Sequence, residues 1–167
     1  SKASDFTGRI QTVAFLPDDS DIIGGTSLLR RRFFDMLASQ LDEKRDTVLY
    51  IDPGFPVQKM QAQVIGVKIA SFDIAEYRGE RLEEKLESYF AQGNICAVLY
   101  SSPNNPTWMC LKDEELEIIG RLATKHDVVV IEDLAYMTMD FRRDMSKPYE
   151  PPFQLSVSKY TDNYVML

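Results

Sequence analysis

Four groups of polar residues in this chain have the types and spacing to do chemistry. Gly24-Gly25-Thr26-Ser27 stands at the start of a helical pattern. Free backbone N–H groups, two hydroxyls and the positive end of a helix dipole suit a phosphate there, although glycine before a helix is also an ordinary helix start. Asp52-Pro53-Gly54-Phe55-Pro56 and Ser101-Ser102-Pro103-Asn104-Asn105-Pro106-Thr107 are turns that each follow an apolar run. Asp133, with Tyr136 three residues on, follows a third such run. Read one at a time, Asp133 is a helix or turn cap, Tyr136 a surface phenol, Asn105 a turn residue and Phe55 a core residue. Their shared placement is what needs explaining, because ligands of open α/β sheets collect at the carboxyl ends of the strands.

The elements that must carry these groups follow from hydrophobic spacing. Leu29, Phe33, Leu37 and Leu41 recur every fourth residue, with Leu28 and Met36 widening the stripe, so a helix starts with Thr26 or Ser27 as its N-cap. Residues 47–51 read as a buried strand, 57–65 as a helix closed by Gly66, and 67–72 as the next strand. Leu82, Leu86, Tyr89 and Phe90 mark an amphipathic helix that ends near Gly93. Residues 95–100 form a continuous apolar strand of the kind buried on both faces. Leu116, Ile119, Leu122 and Ala123 give a further helix. Asp113-Glu114-Glu115 suit the positive end of its dipole and Lys125 and His126 the other, with His126 read as an exposed, structural residue. Residues 128–131 form a strand, 142–152 a polar loop, 153–158 a helical or extended piece, and 163–167 the start of another strand. Residues 1–23 are mixed, with a turn signal at Pro17-Asp18-Asp19-Ser20-Asp21. Alternating short strands and amphipathic helices predict an α/β fold, three αβα layers around a mostly parallel sheet.

Composition narrows the function classes. At 167 residues, 44% hydrophobic and 27% charged, the chain has the makings of one globular domain with a substantial core. A net charge of -7 argues against a nucleic-acid partner, and the run Arg30-Arg31-Arg32 reads as a solvated patch. Cys96 and Cys110 have neither metal-type nor redox spacing and read as reduced packing residues. No apolar run approaches the roughly 20 residues of a membrane span, and the first residues form no signal peptide. The expectation is a soluble, cytoplasmic protein with no metal site and no membrane contact. The chain begins with serine and ends inside what reads as a buried strand, so it is expected to be a truncated piece of a longer protein.

Taken together, Gly24-Gly25-Thr26, Asp52-Pro53-Gly54-Phe55-Pro56, Asn104-Asn105-Pro106-Thr107 and Asp133-x-x-Tyr136 resemble, in order and spacing, the large-domain pattern of fold-type I aminotransferases. These are the pyridoxal-phosphate enzymes of the class I and II group. The resemblance implies that residues 1–167 are a partial pyridoxal-phosphate-binding large domain without the small domain. It implies roles as well. Asp133 would face the pyridine nitrogen and keep it protonated. Asn105 and Tyr136 would donate to the ring's phenolic oxygen, Phe55 would stack on the ring, and Gly25, Thr26 and Ser27 would hold the phosphate. It further implies amino acid and 2-oxo acid substrates and a homodimer.

Two departures from the family pattern stand out. Trp108 occupies a position where the family commonly has glycine. The Schiff-base lysine is missing: Ser156-Val157-Ser158-Lys159 looks like its motif but precedes the last strand instead of following it, so the catalytic lysine is expected beyond Leu167. The family's phosphate- and carboxylate-binding arginines also lie downstream. The chain alone is therefore expected to be inactive. The alternative is a non-enzymatic, aminotransferase-like sensor domain that binds pyridoxal phosphate or an amino-acid adduct. Substrate choice is not legible in these residues.

Overall fold

The structure, a computed structural model, describes residues 44–64, 66–142, 144, 150 and 153–167. The helix expected over residues 28–41, its cap and the glycine-threonine turn lie outside the described residues. Within them, five strands form one sheet: β1 (Thr47–Asp52), β2 (Lys68–Asp73), β3 (Ile95–Ser101), β4 (Val129–Asp133) and β5 (Tyr164–Met166). Their order is β2-β1-β3-β4-β5 and every pairing is parallel. Helices α1 (Pro56–Val64), α2 (Arg81–Phe90) and α3 (Asp113–His126) fill the first three crossovers. The expected α/β architecture with a parallel sheet is what the chain adopts.

Side-chain alternation divides the core into two. Leu49, Val98, Tyr100 and Val130 point to one face, where Leu82, Leu86 and Phe90 of α2 meet Leu116, Ile119 and Leu122 of α3. Val48, Tyr50, Ala97, Leu99, Val129, Ile131 and Val165 point to the other, which α1 joins through Ala62. All seven residues of β3 are buried, and its first six are continuously apolar rather than alternating. Each of the buried leucines on α2 and α3 contributes about 2 kcal/mol relative to exposure. Four strands also run further than hydrophobicity indicates, taking in Asp52, Asp73, Ser101 and Asp133. A parallel ladder pairs backbone groups, so a polar side chain at its end is no barrier: Ser101 stands opposite Asp133 in register.

Two helix-end residues differ from their expected roles. Glu115 is fully buried, not merely a dipole charge: it takes a bidentate ion pair from Arg78 at 2.6 and 2.7 Å and accepts from the backbone N–H groups of Lys112 and Gly79 at 2.9 and 3.0 Å. His126 is not exposed. Its ring lies edge-on to Phe90 and bonds Glu87 at 3.0 Å.

The crossover from β4 to β5 packs without a helix of its own in the described residues. It returns along α3 as an extended piece and a 3-10 turn, Val157–Lys159. Gly120 of α3 makes this possible, since a Cβ there would lie 2.7 Å from Cβ of Tyr160. Glu132, fully buried in β4, anchors the returning chain by accepting from Ser156 Oγ at 2.6 Å and Val157 N–H at 3.3 Å, and from Tyr100 Oη at 2.9 Å. Cys96 and Cys110 are free and buried, as expected. Among the described residues no helix is long and apolar enough to cross a membrane, and no cluster of metal-ligating side chains occurs.

Candidate active site

The strand order creates the crevice. From β1 the chain moves outward to β2 on one side, while β3, β4 and β5 follow on the other, so the loops leaving β1 and β3 part at their carboxyl ends. Asn104 clips these two loops together. Buried at 2% exposure, it donates from Nδ2 to the Pro53 carbonyl at 2.6 Å and to Ser101 Oγ at 3.2 Å. Its Oδ1 accepts from Thr107 Oγ1 at 2.7 Å, which leaves the neighbouring Asn105 free to face outward. Asn104 is a site-building residue that the sequence reading passed over; the one available signal was a doubled asparagine where a turn needs one.

Asn105 and Tyr136 come together, Nδ2 donating to Oη at 3.3 Å across the loops after β3 and β4. Asp133, half-buried at the end of β4, divides its carboxylate between two partners. Oδ1 accepts from the Ala135 N–H at 3.0 Å, so the turn-cap reading holds for one oxygen. Oδ2 accepts from Gln58 Nε2 at 2.7 Å, a contact from the first turn of α1. Gln58 is the second residue missed in the sequence, where a glutamine on a helix carries no signal. Tyr50 holds that turn from below by donating to the Gln58 carbonyl at 3.1 Å, and burial pushes its phenol up to about 12. Phe55 is 44% exposed, so it is not a core residue. Its carbonyl accepts from the Gln58 N–H at 3.2 Å, which keeps Phe55 beside the Asp133 partner. Gly25, Thr26 and Ser27 lie outside the described residues.

Trp108 adopts the conformation expected of the glycine it replaces, with φ +59. A left-handed backbone costs a bulky residue about 1–2 kcal/mol. The indole packs on Tyr136 with ring centroids 5.1 Å apart and stacks on Phe141 at 6.1 Å and 13°. It borders a cleft of about 580 Å³ together with Arg78, Cys110, Asp140 and Arg142. The three cations lining it are already engaged: Arg78 with Glu115, Arg142 with Asp140 through two bonds of 2.7 Å, and Lys112 with Glu114 at 3.6 Å. Arg142 holds the Asp140 carboxyl down at about 2.

Lys159 is committed elsewhere. Its Nζ pairs with Asp113 at 2.8 Å and lies over the Tyr160 ring, while Ser156 of the same motif bonds the buried Glu132. These residues fasten the crossover to α3 and β4.

The family profile for aminotransferase class I and II matches residues 23–166. The chain is 30% identical over 93 residues to glutamate-pyruvate aminotransferase AlaC of Escherichia coli (strain K12), covering 54% of this chain and 22% of that protein. It is 30% identical over 115 residues to histidinol-phosphate aminotransferase of Caldanaerobacter subterraneus subsp. tengcongensis, covering 67% and 30%. An aminotransferase from Mycobacterium tuberculosis superposes with a TM-score of 0.56 at 21% identity, over 80% of this chain and 34% of that one. A Thermus thermophilus aspartate aminotransferase double mutant superposes with a TM-score of 0.51 at 23% identity, over 62% and 27%. At such identities these two show a shared fold. The chain spans between 22% and 32% of the length of the curated relatives it matches. It belongs to the aminotransferase class I and II family, fold-type I proteins whose cofactor is pyridoxal phosphate.

Proposed function

We propose that residues 1–167 are the cofactor-binding part of the large domain of a pyridoxal-phosphate-dependent aminotransferase, which moves an amino group between an amino acid and a 2-oxo acid. The observation that carries this reading is the meeting of Asp133 and the Asn105–Tyr136 pair at one sheet edge. The donor set fits the cofactor in kind: an acid for a protonated ring nitrogen, and an amide and a phenol for an anionic ring oxygen. When bound, the cofactor supplies the electron sink for the electrons released at the substrate's α carbon.

The chain's own residues prepare the place. The Ala135 N–H and the Gln58 amide hold the Asp133 carboxylate at a set angle, so it can keep a proton on a ring nitrogen. Asn105 donates one amide hydrogen to Tyr136 Oη, which leaves the phenol's own hydrogen and the second amide hydrogen to grip a ring oxygen. The partly exposed Phe55 ring is available for an offset stack worth on the order of 1 kcal/mol. Gly25, Thr26 and Ser27 are assigned to the phosphate. The lysine that bonds the cofactor is assigned to sequence after Leu167, so this chain alone binds weakly and does not turn over. The same reading gives the whole protein a homodimeric assembly and a cytoplasmic location.

The test is equilibrium dialysis of pyridoxal phosphate against the chain and its Asp133→Ala and Asn105→Ala variants. Each variant is expected to bind about tenfold more weakly, a loss of about 1.4 kcal/mol. Equal affinity in all three would overturn the assignment. Steady 2-oxo acid production by the longer protein separates an enzyme from a purely sensory domain.

A further inference from the structure

Trp108 is a bulky residue in a backbone conformation that favours glycine, and its setting determines where its ring goes. The Trp108 N–H bonds the Asn104 carbonyl at 2.8 Å, and the Asn104 N–H bonds the Met109 carbonyl at 2.8 Å, so the turn is held on both sides of the residue. With the backbone fixed at φ +59, the indole lies between two rings from the segment after β4: Tyr136 at 5.1 Å and 54°, and Phe141 at 6.1 Å and 13°. Phe141 is 78% exposed and Trp108 40% exposed, so this stack is not part of the core. The Asn105–Tyr136 bond at 3.3 Å is longer than the usual 2.7–3.2 Å of an N–H···O bond and orients the phenol weakly by itself. Among the described residues, Trp108 is the one aromatic ring in contact with the ring of Tyr136.

We propose that Trp108 is a positioning residue: its indole, braced by Phe141, sets the tilt of the Tyr136 ring and thereby the direction in which the Tyr136 hydroxyl and the Asn105 amide face the crevice. This rests on the reading of Asn105 and Tyr136 as ligand donors. With glycine at position 108 the same loop would close, but Tyr136 would keep only its long hydrogen bond. The aromatic pair therefore takes over an orienting task that the backbone turn does not perform.

The experiment uses the 167-residue chain with Trp108→Gly and Trp108→Phe, each checked for folding by circular dichroism and thermal melting. Carbon-13-labelled tyrosine rings, with the Tyr136 signal assigned through Tyr136→Phe, report ring position and flipping without any cofactor. Trp108→Gly is expected to shift that signal and speed ring flipping by about tenfold, and Trp108→Phe to stay close to the parent. An unchanged Tyr136 signal in Trp108→Gly overturns the inference whether or not cofactor binds. Dialysis of pyridoxal phosphate is expected to give about fivefold weaker binding for Trp108→Gly and recovery in Trp108→Phe. If Asn105→Ala weakens binding and Trp108→Gly does not, the positioning role fails while the functional reading stands. If the parent and Asn105→Ala bind alike, the functional reading fails and the ring signal decides the positioning role. Should Trp108→Gly not fold, Phe141→Leu, which frees the indole on its other side, is read by the same measurements.

Discussion

A carboxylate at a strand end has two oxygens to satisfy, and Asp133 gives one to its own turn and the other to Gln58. The second contact spans 75 residues of sequence, so nothing local announces it. Replacing Gln58 with alanine is expected to leave the fold intact, because Asp133 is only half-buried and water can take the vacated oxygen. Affinity for pyridoxal phosphate should fall about fivefold as the acid loses its fixed angle. Gln58→Glu should cost more, over about tenfold, since two carboxylates would then meet at hydrogen-bond distance. Dialysis of both variants checks the ranking. At position 108 strain and contact oppose each other: glycine removes about 1–2 kcal/mol of backbone strain but gives up ring contacts of similar worth. The stability of Trp108→Gly in urea should therefore stay within about 1 kcal/mol of the parent.

Among the elements, α3 carries a fully buried carboxylate, Glu115, ion-paired with Arg78. Burial alone would push the Glu115 carboxyl up, but the Arg78 guanidinium and the N–H groups of Lys112 and Gly79 outweigh it and hold the group below its ordinary value. A depressed carboxyl contributes stability that is present above its unfolded value and is lost as pH falls through the folded one. Arg78→Met should cost about 3 kcal/mol at neutral pH by leaving a buried charge unpaired, and the gap to the parent should close as the medium is acidified. Urea titrations at several pH values measure this. On the same helix, Gly120→Ala gains about 1 kcal/mol of helix propensity but forces the Tyr160 backbone away, where overpacking costs about 1–3 kcal/mol. The expected outcome is net destabilisation and a looser crossover, visible as faster amide exchange at residues 157–161.

Across the whole molecule, Glu132 ties the sheet to the chain that returns to form β5. Burial raises its carboxyl above the ordinary value of 4.5, against the lowering effect of Ser156, Tyr100 and the Val157 N–H. The sign is opposite to that of Glu115: the folded state binds the extra proton, so this contribution is fullest below the unfolded value and fades as pH rises through the folded one. Glu132→Gln keeps an acceptor for Tyr100 and Val157 and a partner for Ser156. Its stability relative to the parent should therefore improve as pH rises, while Glu132→Ala, which strands those donors, should lose about 2 kcal/mol throughout. Thermal melts of the three proteins across pH separate these outcomes. The sequence by itself determined the succession of strands and helices and singled out Asn105, Asp133 and Tyr136 as candidates, because period, turn chemistry and motif spacing are relations between near neighbours. Tertiary structure alone decided that Asn104 and Gln58 build the crevice, that Glu115 and Glu132 are buried and His126 lies against Phe90, and that Trp108 lies on Tyr136. Those depend on which loops the strand order brings to one edge, and two loops 51 residues apart meet through a hydrogen bond that neither stretch specifies alone.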